Sequence, residues 1–270
     1  MSSADLNEYY KRLEPLLEDN RLEEAVTVAE AAVKAAPFSG EPLIWLGDLY
    51  FEMDEWEKAL ASFEKALEIE PGLAPALAGA GKINFELCRF GEAERLINEA
   101  LMEDNDLGEA NYYKALLMER KGDLKKAEKF FDKAYKTDPD WYPSAFKISR
   151  NEFEKIAERT FKSLSPKVAA FIKNVAVIVE DFPSEDDLLS ENPPLSPHIL
   201  GLFRGLSSRE RSVHSAWSEM PVQIVLYQRN LEHFCQELEE LEEQIRITLL
   251  HEIGHYLGLN EKDLEKRGLN

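Results

Sequence analysis

Cysteine is almost missing from this chain: 270 residues hold two, Cys88 and Cys235, with no CxxC spacing. That excludes a disulfide framework and a cysteine-built zinc ribbon, and it suits a reduced compartment. Long apolar runs are missing as well. The longest aliphatic stretch, VAVIV at 175–179, is far shorter than the roughly 20 residues that span a bilayer. Basic charge is scarce, with 32 Lys and Arg against 52 Asp and Glu and a formal net charge of -20. Nucleic acid and anionic membranes carry the same sign, so neither is an expected partner. The stretch MSSADLNEYYKRLEPLLED has no positively charged start followed by an apolar core, and a cytoplasmic location is expected. Histidine is scarce too, at five, which makes the position of any pair of them informative.

What is present in the first half is self-similarity. Ala25, Ala59, Ala93 and Ala127 recur every 34 residues, and so do Ala32, Ala66, Ala100 and Ala134. A third ladder runs through Pro37, Pro71, Asn105 and Pro139, and bulky or small plugs stand between the first two at Ala29, Phe63, Ile97 and Phe131. Small residues at helical spacing let two antiparallel helices approach, an aromatic fills the remaining gap, and proline stops the second helix. The pattern resembles the tetratricopeptide repeat over roughly residues 6 to 140, clearest in the copy with Leu46, Gly47, Tyr50, Ala59, Phe63, Ala66 and Pro71.

The resemblance implies an α-helical solenoid of about four repeats whose concave face holds a protein or peptide. Projecting the groove positions of such repeats onto this chain gives Tyr10, Glu14, Leu17 and Glu18, then Ile44, Asp48, Phe51 and Glu52. The third and fourth units add Ala78, Lys82, Phe85 and Glu86, then Tyr112, Leu116, Glu119 and Arg120. The Lys, Arg and Asn cluster that clamps a C-terminal carboxylate is missing. An aromatic and acidic groove suits a basic or amphipathic segment.

The period fails after Pro139, because Phe161 and Val168 stand where a fifth unit needs small residues. DPDWYPSAFKIS at 138–149 reads as the junction, dividing the chain into domains 1–140 and 141–270. Ser149 followed by Glu152 is a helix-start signature, and Phe153, Ile156, Ala157, Phe161 and Leu164 mark one face of the helix that follows. NVAVIVEDF at 174–182 predicts a strand, PSEDDLLSENPPLSP a loop without regular structure, and HILGLFRG at 198–205 and VQIVLYQ at 222–228 two more strands. A long helix is expected from about Leu231 or Leu238 through Leu257, ended by Gly258. The order predicts a small α+β domain.

HEIGH at 251–255 lies inside that helix. Residues four apart share a helix face, so His251 and His255 can aim imidazole nitrogens at one point that suits zinc. Glu252 stands beside that point, where a carboxylate can take a proton from a metal-activated water and pass it to a leaving amine. A purely structural zinc has no need of Glu252 and is usually closed by four ligands.

Residues 149–270 resemble the small bacterial zincin-like metallopeptidases through SRNEFEKIAERTFKSLSP, NVAVIVEDFP, ILGLFRG, PVQIVLYQRNLEHFC and HEIGHYLGLNEKDLEKRGL, in the family's order. The resemblance implies a short sheet behind a zinc helix. It also implies a third ligand at residue 261 by the pattern HExxHxxGxx, a place commonly held by Asp and here by Glu261, with Asp263 as rival. By the same analogy ILGLFRG is the edge strand for a substrate peptide, with Leu202 and Phe203 in it. Tyr256, where the family often has a second histidine, is expected to pack. Two functions stay open: a zinc metallopeptidase with a recruiting repeat domain, and a weakly active or non-catalytic metal-binding protein that acts through its repeats.

Overall fold

The computed structural model describes residues 3–144, 146–165, 168, 172, 175–205 and 222–266. The ladders become four helical hairpins: α1 (Ser3–Glu18) with α2 (Leu22–Ala35), α3 (Glu41–Glu52) with α4 (Trp56–Ile69), α5 (Ala74–Glu86) with α6 (Phe90–Glu103), and α7 (Gly108–Arg120) with α8 (Leu124–Thr137). All eight ladder alanines are buried, as close helix packing requires. Phe63 plugs two bare backbones at once: a Cβ at Gly47 would lie 2.5 Å from its ring, and one at Gly79 only 2.4 Å away. A further ladder, not evident from residue type, sits in the hairpin turns. Asn20, Asp54, Cys88 and Gly122 all have positive φ. One left-handed residue ends the first helix of each pair and turns the chain, and only one of the four is glycine.

The chain divides into two compact units, 1–144 and 145–270. The division falls beyond residue 140 because Tyr142 packs on the last hairpin, its ring centroid 5.4 Å from that of Tyr112.

In the second unit α9 (Arg150–Ser163) starts at Ser149, whose hydroxyl accepts from the Glu152 amide. There follow β1 (Val175–Glu180), α10 (Glu185–Leu188), β2 (Gly201–Arg204), β3 (Val222–Tyr227), α11 (Gln228–Phe234), α12 (Leu238–Tyr256) and α13 (Glu261–Glu265). The sheet order is β1-β3-β2. β1 runs parallel to β3, with Val177 opposite Ile224, and β2 antiparallel to it, with Gly201 opposite Leu226. Ile224 and Leu226 of β3 pack with Phe153 and Ile156 of α9 and with Leu241, Ile245, Leu249 and Ile253 of α12. Those four α12 residues form a single helical stripe, which fixes the side of α12 that faces the sheet. Arg204 at the end of β2 reaches Glu180 of β1 (2.7 Å) and Asp187 of α10 (2.9 Å), and so pins the strand.

One expectation needs correction, and one pair of alternatives is decided. The stretch after β1 is not wholly irregular, because Ser184 and Asp187 form a reciprocal capping box that starts α10. The final helix is two helices, interrupted at Cys235–Glu237, so α12 begins at the later of the two expected starts. Among the described residues no helix is long and apolar enough to cross a membrane.

Candidate metal centre and repeat groove

α12 carries both histidines of HEIGH and brings them together as the spacing demands. Nε2 of His251 and Nε2 of His255 lie 2.9 Å apart. Two ligands of a tetrahedral zinc, each roughly 2.05 Å from the metal, stand about 3.3 Å apart, so a few tenths of an ångström of side-chain movement would suffice. The donor chemistry and the convergence therefore fit zinc. Glu252 is 6% exposed and lines a cleft of about 190 Å³ together with His251, Thr248 and Gln244 of α12 and Ile199, Leu200 and Gly201 of β2 and its approach. Gly201 makes this close approach possible, since a Cβ there would lie 2.6 Å from Thr248 Cγ2 and 3.0 Å from the Val225 carbonyl oxygen.

After Tyr256 the chain reverses through a Schellman motif. The Gly258 amide donates to the His255 carbonyl (2.9 Å), the Leu259 amide to the Gly254 carbonyl (3.0 Å), and Gly258 has φ +83°. α13 then begins with Glu261 as its first residue. Asp263 is engaged in a capping box with Asn260: its amide donates to Asn260 Oδ1 (3.1 Å) and its carboxylate accepts from the Asn260 amide. Among the described residues no third His, Cys, Asp or Glu joins His251 and His255 in a metal-binding group. The glycine inside HEIGH, to which the motif assigns no role, is where α13 docks. A Cβ on Gly254 would lie 2.3 Å from Leu264 Cδ2, and Leu264 is fully buried.

Leu202 and Phe203 lie in β2, an edge of the sheet among the described residues, yet the cleft is lined by the residues just before them. Phe203 instead packs against Tyr256, with ring centroids 5.8 Å apart, so Tyr256 packs as expected. Tyr227 is fully buried, and desolvation together with nearby Asp187 raises its pKa. His214, which with Tyr227 is a sequence candidate for steadying a transition-state oxyanion, lies outside the described residues.

The groove residues separate into two sets. Phe85 is 2% exposed and meets Phe90 and Tyr113 edge-on, and Glu119 is also buried, so both serve the core and not the groove surface. Tyr10 and Glu14 are exposed, and Phe51 and Tyr112 are half-buried. Lys82 ties three helices together: it bonds Glu109 at 2.6 Å, approaches Asp48 at 3.7 Å and lies 4.3 Å from the centroid of the Phe51 ring. Burial works to lower the Lys82 pKa, but Glu109 and Asp48 outweigh it and the pKa is raised. Asp48 keeps 52% of its side-chain surface, because the groove is open above it. The protein around its other sides nevertheless pushes its pKa up to about 7, against the attraction of Lys82, with Glu109 and Glu52 adding to the rise. Burial likewise raises Tyr112 to about 12.

Residues 172–269 match the model of the family described as Zincin-like metallopeptidase, and tetratricopeptide-repeat models match 14–74, 55–118 and 108–140. The chain joins tetratricopeptide repeats to a zincin-like metallopeptidase domain. No curated protein matches it. Solved structures do: TTC0263, a thermophilic tetratricopeptide-repeat protein of Thermus thermophilus, is 21% identical over 48% of this chain and 73% of its own, with a TM-score of 0.43. YrrB, described as a repeat protein with an unusual peptide-binding site, is 22% identical over 49% and 68%, with a TM-score of 0.39. The repeat domain of Arabidopsis OM64 is 22% identical over 38% and 84%, with a TM-score of 0.35.

Proposed function

We propose that the zincin-like domain is a zinc-dependent metallopeptidase and that the repeats bind a protein or peptide of basic or amphipathic character. The observation that carries the first part is the convergence of the His251 and His255 Nε2 atoms, with Glu252 lining one cleft together with His251. His251 and His255 would hold the metal, with Glu261 as the third ligand. Bound zinc would acidify a water molecule and polarise the scissile carbonyl. Glu252, shielded from bulk solvent, takes up a proton on its carboxylate and returns it to the leaving amine. β2 and the residues before it form the wall along which an extended substrate lies, offering backbone partners from its edge. A cytoplasmic location belongs to this reading.

The test is metal analysis together with cleavage of a peptide library. The wild-type chain is expected to bind one zinc and cleave. Glu252→Ala keeps the zinc and loses cleavage by about 100-fold or more, the scale of a general acid–base contribution, while His251→Ala loses the metal. Zinc at unit stoichiometry without cleavage by the wild type would sink the peptidase reading in favour of a metal-binding interaction protein that acts through its repeats.

A further inference from the structure

The segment directly after α8 does not simply leave the repeats. Asp138 gathers it into a turn, its Oδ1 accepting from the amides of Asp140 and Trp141 (both 3.1 Å) and its carbonyl from the amide of Tyr142 (2.9 Å). Tyr142 seats on the start of α7, where a Cβ on Gly108 would lie 2.8 Å from its ring, and it leans on Tyr112. Burial raises its pKa, and the Glu109, Asp138 and Asp48 carboxylates add to the rise. The chain's own tyrosine thus covers the part of the groove around Tyr112.

What stays open is a pocket of about 400 Å³ at the other end, lined by Tyr10 and Leu17 of α1, Trp45, Asp48 and Glu52 of α3, and Trp141. Tyr10 and Trp45 already sit as a tilted pair, ring centroids 5.7 Å apart. Trp141 leaves 75% of its surface in solvent, a large apolar exposure for a residue whose backbone is fixed in a turn. The charge here is acidic: Asp48 and Glu52 line the pocket and no described lining residue is basic, while Lys82, 3.7 Å from Asp48, is bonded at 2.6 Å to Glu109. Aromatic faces attract a cation through their quadrupole, and carboxylates at the same mouth attract it by charge. We infer that Trp141, Tyr10 and Trp45, with Asp48 and Glu52, form a pocket for an arginine or lysine side chain of a basic peptide. This rests on the reading of the repeats as a protein-binding module and narrows it to one end of the groove and one kind of side chain.

The experiment uses the full chain carrying Glu252→Ala, to prevent cleavage, and two fluorescein-labelled dodecapeptides, alternating arginine–leucine and alternating citrulline–leucine. The arginine peptide should bind at least tenfold more tightly than its neutral isostere. Trp141→Ala should weaken binding about fivefold or more, in keeping with a partly desolvated cation–π contact. Trp141→Phe should restore much of it, and Glu57→Gln, an exposed acid on α4, should leave it unchanged. Trp141 is too exposed for its removal to unfold the repeats, which circular dichroism checks. Binding of the arginine peptide that Trp141→Ala does not alter, or that Glu57→Gln weakens equally, overturns the pocket while leaving the repeats a protein-binding module. Failure of the Glu252→Ala chain, with no further substitution, to bind either peptide overturns the pocket and the basic-ligand reading together.

Discussion

At the scale of single residues, the choice of third zinc ligand turns on what else each carboxylate does. Asp263 completes a capping box with Asn260 as its N3 partner, and a capping device of this kind is worth about 0.3–1.5 kcal/mol. Asp263→Ala is therefore expected to lower stability by about 1 kcal/mol and to keep zinc, whereas Glu261→Ala is expected to weaken zinc binding by a factor of ten or more. Equilibrium dialysis against a chelator, beside chemical denaturation, reads both, and zinc lost only in Asp263→Ala would reverse the assignment. The two histidines were legible in the sequence because helix geometry alone brings residues four apart together. For the third ligand the sequence left Glu261 with Asp263 as rival, because the choice depends on how the chain turns after Gly258 and how α13 docks.

At the scale of elements, that docking runs through Gly254. The pattern HExxH leaves its third and fourth positions open, and nothing in the sequence singles out glycine there. The structure supplies the reason, since Leu264 rests on the bare backbone of α12. Gly254→Ala presses its Cβ on the buried Leu264 side chain, which must turn away or shift with α13, and overpacking of this kind costs roughly 1–3 kcal/mol. The helix propensity of alanine, worth up to about 1 kcal/mol over glycine, offsets only part of that. The variant is expected to melt lower than the parent and to bind zinc more weakly. A higher melting temperature with unchanged zinc affinity would remove the proposed coupling between α13 and the metal centre. The strands tell the same story in reverse: their β-branched runs announced them, but the parallel pairing of β1 with β3 and the edge position of β2 did not follow from composition.

At the scale of the whole molecule, the concave face of the repeats collects charge from helices that are distant in sequence. Asp48 faces Lys82 from α5, Glu109 from α7, Glu52 from its own helix and Tyr142 from the segment after α8. Its pKa of about 7 lies above the ordinary aspartate value of 3.8. The folded chain therefore holds a proton that the unfolded chain releases between pH 4 and 7, and stability at this group falls as pH rises through that window. Asp48→Asn is expected to raise the unfolding midpoint at pH 8 and to change it little at pH 4, while weakening binding of the arginine peptide at pH 8. Denaturation at the two pH values checks the first claim and titration the second. A destabilising effect at pH 8 would show that the Lys82 attraction dominates after all.

The sequence by itself determined the repeats and the histidine pair, because both depend on regular local spacing. A 34-residue period places the same small residues at each contact between neighbouring helices, and an i, i+4 pair shares a face of any α-helix. It did not determine that Phe85 and Glu119 turn into the core, that Trp141 and Tyr142 fold back over the groove, or that Leu264 closes onto Gly254. Those outcomes join positions far apart along the chain, or depend on whether an amino acid such as Asn, Asp or Cys accepts a left-handed turn. They are decided only when packing selects, among many compatible local conformations, the one that buries these surfaces together.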